Sequence, residues 1–375
     1  MILEGETAYY SKYMILTDYS NIKKLYNYTT MQEISIDFTL GEAPYNPVED
    51  REGKIYYIRD DILHRNGEQL SQIDTLSLIK NPLYYDSKTD SLWLASFNSD
   101  MSFVNFSVFE KPSAATSNTN PSTIVYDDLN YLNNSFSCQA FAVKEDNIYI
   151  AYNNSNILLT KKNNSSNTEA SITLSNITPA LSGEVTDMAV LEDGTVAVLV
   201  RSVGVGTETE GFGGNMSLST DGSSIVYSRG ALVLLSSDLS KVEKVLGWTD
   251  SARTISATGS SSDYDVQWDK ITAYIPEYAE RNSHFYGPMR IVAIRPKELV
   301  IADCGANFVL PDYIGKKNGK MFTHNRLMTV NLRNFAIGCK KEFSESELKF
   351  QYLTISGNLE SVTAGWTNLS AENEK

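Results

Sequence analysis

The chain has 375 residues, 42% of them hydrophobic and 21% charged, a balance that provides a large core and excludes an intrinsically disordered protein. Its formal net charge of −14 repels phosphate backbones and anionic lipid, which argues against nucleic acid or a membrane surface as partner. No apolar run is long enough for a transmembrane helix, and residues 1–5 lack the basic and apolar regions of a signal peptide.

In chain order, the first structured phrase is residues 14–29: an apolar strand, a polar turn, then a mixed strand ending in aromatics. Residues 53–58 and 90–95 follow a second plan, a tight polar turn and then a short run of β-branched, aromatic and aliphatic residues. Between 113 and 123 the chain is rich in Ser, Thr and Asn. The turn-and-strand phrase returns at residues 146–151, 193–198 and 297–302, each time after an upstream apolar strand (136–143, 185–191 and 289–294). Residues 232–249 and 351–367 repeat the plan of 14–29. Helical periodicity is nearly absent; a two-turn helix over 275–281, entered through Pro276, is the clearest candidate.

The first apolar residues after the turns are Ile55, Leu92, Ile148, Val196 and Leu299. Three of the four intervals lie near the roughly 40 to 50 residues of a four-stranded propeller blade. The fourth, from Val196 to Leu299, is about twice as long and contains two expansions, at 204–224 and 250–288. These spacings predict an all-β chain, one β-propeller domain spanning residues 1–375. Exposed first and last edges would template aggregation, so the matching phrases at both termini predict a sixth blade that closes the ring. Seven blades and a pair of β-sandwich domains divided near 113–123 are the alternatives.

Glu298-Leu299-Val300-Ile301-Ala302-Asp303-Cys304-Gly305-Ala306-Asn307, followed by Asn325-Arg326-Leu327, resembles an NHL-type propeller repeat: apolar strand, Ala-Asp, Gly/Asn turn, then Asn-Arg-apolar. The resemblance covers residues 298–332 and departs from the family at 308–324, inserted where the family has a tight turn. It implies a platform for interaction or ligand binding; some six-bladed relatives are calcium-dependent lactonases or other hydrolases.

Catalytic signatures are missing. His64, His284 and His324 have no partner at metal-ligand spacing, and no GxSxG elbow is present. His64 follows a strand and reads as an exposed, turn-side imidazole. Cys138, Cys304 and Cys339 read as three thiols beside strands, with a Cys304–Cys339 bridge as the oxidised alternative. Asp60-Asp61, Asp127-Asp128 and Asp303 fall at strand ends, where Asp caps turns; the same oxygens could hold Ca²⁺. Aromatics crowd the 250–288 expansion: Tyr264, Trp268, Tyr274, Tyr278, Phe285 and Tyr286. Flat rings beside Asp and Asn suit a sugar or peptide.

The expectation is a non-catalytic, monomeric binding propeller that recognises a protein or glycan through loops on one face. Tyr264, Trp268, Tyr274, Tyr278, Asp303 and Asn307 are the candidate contacts, with no metal or cofactor. The alternative is a calcium-dependent hydrolase or lactonase of the propeller type. Abundant Tyr, Asn, Ser and Thr place the protein outside the cytoplasm or on a cell envelope, its signal or lipid anchor outside this stretch of chain.

Overall fold

A computed structural model of the chain describes residues 13–17, 23–27, 33–34, 47–73, 78–97, 104–116, 119–126, 137–154, 156–162, 168–181, 183–206, 225–248, 252–256, 270–274, 283–285, 287–309 and 320–342. The first three strands, β1 (Tyr13–Thr17), β2 (Lys23–Asn27) and β3 (Glu33–Ile34), form a three-stranded sheet. Blade I comprises β4 (Val48–Glu49), β5 (Ile55–Arg59), β6 (Ile62–Arg65) and β7 (Glu68–Gln72). Blade II comprises β8 (Leu78–Asp86), β9 (Ser91–Phe97), β10 (Val104–Glu110) and β11 (Ser122–Tyr126). Blade III is β12 (Ser137–Lys144), β13 (Asn147–Asn154), β14 (Asn156–Lys162) and β15 (Thr168–Thr173). Blade IV is β16 (Glu184–Val190), β17 (Val196–Gly206), β18 (Ile225–Leu235) and β19 (Val242–Leu246). A separate pair, β20 (Ala252–Ser256) and β21 (Lys270–Tyr274), precedes blade V: β22 (Pro288–Arg295), β23 (Glu298–Val309), β24 (Lys320–Asn331) and β25 (Ile337–Glu342).

Each blade is an antiparallel meander, and the first strands pack side by side in the order β4, β8, β12, β16, β22. Among the described residues this is a β-propeller with five four-stranded blades, where the repeat predicts six or, alternatively, seven. The difference arises at the termini. The 14–29 phrase does form a hairpin, β1 with β2, but its sheet takes up β3 and lays β1 against β22 as a separate three-stranded unit. The 351–367 phrase lies outside the described residues. Two sandwiches are ruled out by the unbroken sequence of blade-to-blade contacts. Residues 113–123 mark no domain boundary; they connect the third and fourth strands of blade II. Their 3-10 turn Pro112–Ala114 is held from blade I by Arg65 Nη1, which donates to the carbonyls of Pro112 (2.9 Å) and Ala115 (3.0 Å).

The core is a stack of layers between blades. Tyr56, Ile58 and Leu63 of blade I meet Leu83, Leu92 and Phe109 of blade II. Ile148 and Ile150 face blade II, while their neighbours Tyr149 and Ala151 face blade IV. Val196, Val198 and Val200 look toward blade III; Ala197 and Leu199 look toward blade V. A central strand is therefore apolar on both faces, which is why these runs read as continuous rather than half-polar. His64 belongs to this pattern. It pairs with Tyr57 across the β5–β6 ladder, is 1% exposed and stacks on the Tyr57 ring at 5.1 Å, so the exposed turn-side expectation is corrected.

Because strands alternate in direction, the turns between first and second strands share one face with those between third and fourth strands. The second-to-third turns and the blade-to-blade connections share the opposite face. On the first face the turns between first and second strands are short and copied. In blade I, Asp50 N–H donates to Lys54 O (2.9 Å) and Gly53 N–H to Asp50 O (3.0 Å); in blade IV, Leu191 N–H donates to Thr195 O (2.8 Å) and Gly194 N–H to Leu191 O (3.0 Å). Gly53 and Gly194 hold φ of 79° and 90°, the left-handed position that makes glycine part of the recurring phrase. Neighbouring turns are also tied together. Arg51 Nη2 donates to Ser87 O (3.2 Å), Glu145 N–H to Asp86 Oδ2 (2.9 Å), and Lys144 Nζ to Leu191 O (2.7 Å).

Candidate ligand face

All three expansions open on the opposite face. β17 and β18 remain paired out to Gly206 and Ile225, so 207–224 leaves from the far end of the middle hairpin of blade IV. β23 and β24 remain paired out to Val309 and Lys320, which places 310–319 at the corresponding end of blade V. The third expansion is the connection from β19 to β22, on the same face by strand direction and between the same two blades. Part of what the sequence marks as insertion is thus lengthened ladder. In particular Gly305 to Asn307, expected to turn as in an NHL repeat, continues β23 opposite His324 to Phe322.

The inner strands carry a repeated device at this face. β12 and β16 each bulge at one residue, Gln139 and Thr186, and β22 bulges at two, Met289 and Val292. A bulge leaves backbone groups off the ladder, and here the preceding blade supplies partners. Gln139 Oε1 accepts the Val185 N–H at 2.6 Å, and Thr186 Oγ1 donates to Pro288 O at 2.7 Å. Asp187 continues the series, its Oδ2 accepting the Ile291 N–H at 2.8 Å. Burial raises the Asp187 carboxyl above its ordinary pKa, opposed by the nearby Arg290 guanidinium; burial likewise lowers Arg290, opposed by Asp187. Arg290 Nη2 also donates to Pro47 O at 2.7 Å, joining blade V to the residue that precedes blade I. Alongside, Arg201 pairs with Glu184.

A buried clamp fixes the end of the third expansion. Asp303 on β23 and Arg326 on β24 are register partners, both 0% exposed, and form an ion pair. Arg326 Nε donates to Asp303 Oδ2 at 3.2 Å, while Asp303 Oδ1 accepts the Gly287 N–H at 2.7 Å. Arg326 Nη2 also donates to His284 O at 2.9 Å. Between these contacts sits Phe285, fully buried against Leu199, Leu232, Leu299 and Ile301. Its N–H donates to Gly247 O (3.1 Å), and its carbonyl accepts the Gly230 N–H (3.0 Å). Two glycines make the room. A Cβ on Gly247 would lie 2.2 Å from Phe285 Cδ2, and one on Gly230 would lie 2.0 Å from Pro288 Cδ.

The sequence-derived candidates separate accordingly. Asp303 lies inside a strand rather than at its end, with both carboxylate oxygens occupied by protein donors. Asn307 lies further along β23 toward the expanded face, opposite Phe322. Tyr274 ends β21, opposite Ala252. Tyr264, Trp268 and Tyr278 fall outside the described residues, as do Asp127, Asp128 and the 275–281 helix candidate. Asp60 and Asp61 form the tight turn of blade I at φ of 52° and 58°. Among the described residues no group of three His, Cys, Asp or Glu side chains comes together to hold a metal.

The sequence gives no sign of Gly230 or Gly247, and it marks Phe285 only as one of the aromatics of the 250–288 expansion and Arg326 only within the NHL-like motif. Arg326 was within reach, since the Ala-Asp and Asn-Arg halves of the NHL-like motif are the two sides of this ion pair. Cys339, half-buried on β25, is not in a disulfide. It pairs with Met328, itself opposite Ile301, so Cys304 lies two strands across and three residues along from it. Strand spacing alone puts them beyond the ~7 Å Cα separation that a disulfide spans.

No family model matches the chain, and a search of curated proteins finds no match. Among solved structures the chain is similar to hydrazine synthase from Kuenenia stuttgartiensis: 6% identity, 68% of this chain and 74% of that one, TM-score 0.35. It is similar to a Glu150Gln mutant of the Synechocystis apocarotenoid oxygenase as well: 9% identity, 84% and 73%, TM-score 0.34. An exo-β-1,3-galactanase from Phanerochaete chrysosporium aligns at 9% identity over 90% and 68%, with a TM-score of 0.30. At such values these likenesses carry nothing about activity. The propeller assignment rests on the strand pairing itself, and the NHL likeness remains a resemblance over 298–332.

Proposed function

We propose that this protein is a non-catalytic binding propeller acting outside the cytoplasm, which recognises a protein or glycan through the expanded face of blades IV and V. The supporting observation is the asymmetry of the ring. On one face the first-to-second turns are short and those of blades I to IV are tied to one another; the other face gathers all three expansions on two adjacent blades, one of them held at its end by a buried ion pair and an aromatic plug. Long excursions on a rigid scaffold are where binding residues concentrate. Tyr264, Trp268, Tyr274 and Tyr278 fall within the 250–288 expansion, and aromatic residues of this kind suit stacking on a sugar or peptide; Asn307 lies on the strand that approaches the same face. The extracytoplasmic assignment rests on composition.

Glycan- and protein-array binding of the wild type and of a Tyr264→Ala/Trp268→Ala variant tests this reading. Binding that is lost in the variant while the melting temperature holds supports it. Array binding that survives the substitutions refutes the site. Turnover of a lactone or ester that requires added Ca²⁺ refutes the non-catalytic assignment.

A further inference from the structure

The first strand of each blade is its innermost, and these strands stand around the axis of the ring. Toward the face of the short turns the axis is crossed by Tyr84, near the end of β8. It reaches past blade III to blade IV, where its hydroxyl accepts the Val190 N–H at 3.3 Å, and its ring packs on Phe141 at 5.9 Å. Toward the expanded face the inner strands carry Asp187 on β16 and Arg290 on β22. Surrounding protein desolvates both, yet both are half-buried rather than sealed, the combination expected of side chains lining an internal channel. Their bonding is unequal. Each Asp187 oxygen accepts a backbone N–H, Oδ1 from Met188 (3.0 Å) and Oδ2 from Ile291 (2.8 Å). A guanidinium has five N–H donors, and Arg290 makes one hydrogen bond among the described residues, from Nη2 to Pro47 O at 2.7 Å. Asp187 acts on it through space, with no hydrogen bond between them, and the charge of Arg201 is already met by Glu184. A guanidinium withdrawn from water with donors to spare is costly unless an anion meets it.

We propose that the axial channel binds a small organic monocarboxylate, its two oxygens held fork to fork by the Arg290 guanidinium. A planar carboxylate matches the paired N–H geometry of arginine. Asp187 alongside disfavours a multiply charged anion such as phosphate, because like charges repel most strongly away from bulk water. The site lies on the inner strands of blades IV and V and uses none of the aromatics of the 250–288 expansion, so it is distinct from protein or glycan recognition at the expanded face.

Calorimetric titration of the full chain with sodium acetate, sodium glycolate and sodium phosphate at constant ionic strength tests this. Saturable binding of acetate or glycolate is expected, roughly tenfold or more tighter than that of phosphate. Arg290→Lys keeps the charge but loses the fork and should weaken carboxylate binding by about tenfold or more. Lys297→Ala, at an exposed turn, should leave it unchanged, as should Tyr264→Ala/Trp268→Ala. No saturable binding of either carboxylate, phosphate binding of equal strength, full affinity in Arg290→Lys, or loss of affinity in Tyr264→Ala/Trp268→Ala overturns the proposal. A measurement on the wild type covers the case in which Arg290→Lys does not fold: modification with phenylglyoxal, followed by peptide mass analysis. Acetate or glycolate should slow modification of Arg290 roughly fivefold or more, through occupation of its donors, and leave the exposed Arg333 unaffected. Equal rates at Arg290 with and without the carboxylate overturn the site.

Discussion

Replacing Asp303 by Asn is the sharpest probe of the clamp. The change is nearly isosteric but removes a charge whose partner, Arg326, is 0% exposed. An unpaired guanidinium in that position costs about 3–5 kcal/mol, because the ion has left water without a counter-charge. Unfolding entropy near 2.1 cal/mol/K per residue gives roughly 0.8 kcal/mol/K for a chain of this length. The melting temperature should therefore fall by about 4–6 °C. The double variant Asp303→Leu/Arg326→Leu removes both charges and fills the space with apolar atoms, so it should be markedly more stable than Asp303→Asn. Differential scanning calorimetry on the wild type, the single variant and the double variant reads this directly. A single variant within 1 °C of wild type, or a double variant less stable than the single, would refute the claim that an uncompensated buried charge is what Asp303 prevents.

Four further outcomes follow from the same geometry. Gly247→Ala puts a Cβ 2.2 Å from the Phe285 ring at φ 78°, so it should cost roughly 2–5 kcal/mol in urea unfolding, whereas Gly338→Ala, whose Cβ meets only Thr329 Oγ1 at 3.5 Å, should be near neutral. Gln139→Ala leaves the buried Val185 N–H unpaired and should cost about 1–3 kcal/mol by the same measurement. Asp187 has a folded pKa raised above its unfolded value, so the folded protein holds that proton over a window from about pH 4 upward. Its contribution to stability then falls as pH rises through that window. The stability of wild type relative to Asp187→Asn should accordingly decline from pH 4 to pH 7 in paired melts, and a rise would contradict the assignment. Burial pushes the Cys138 thiol up to about 12, so maleimide labelling followed by peptide mass analysis should leave it unmodified until the protein unfolds, and a non-reducing digest should contain no Cys304–Cys339 peptide.

The blades were legible in the sequence for a definite reason. A propeller sheet is buried on both faces, so every second strand announces itself as an apolar run, and the first turns of blades I to IV each place one residue in left-handed backbone: Gly53, Asp90, Glu145 and Gly194. Blade number was less legible because a hairpin phrase does not state which sheet it joins: residues 14–29 have the same plan as 232–249, yet only the latter supplies strands to a five-strand-ordered ring position, β18 and β19 of blade IV. The stitches at Gln139, Thr186 and Asp187 were invisible for another reason. They depend on bulges, which shift register by one residue without altering the apolar pattern that a sequence displays. Asp303 was noticed for its motif but placed at a strand end, because the expected turn at Gly305–Asn307 is a continuation of the ladder whose partner strand begins only at Lys320.

That continuation bears on how the expanded face is built. A loop inserted directly at the end of a short strand carries its own ordering cost and transmits little position to whatever it presents. Here the middle hairpins of blades IV and V run to Gly206 and Ile225, and to Val309 and Lys320, before the chain leaves the ladder, so two of the expansions start from paired backbone. The third has no such ladder to extend, since a blade-to-blade connection must leave one sheet and enter the next. Its neck is held instead by side chains: a ring in the interblade layer, two glycines that admit it, and a charge pair that grips the backbone on both sides. Different means thus give all three excursions a fixed origin on the same two blades. A purely connective role needs none of this: the connection from blade III to blade IV, between Thr173 and Glu184, has no ion pair of this kind among the described residues. The positioning of these origins is the structural reason to test this face of blades IV and V for binding.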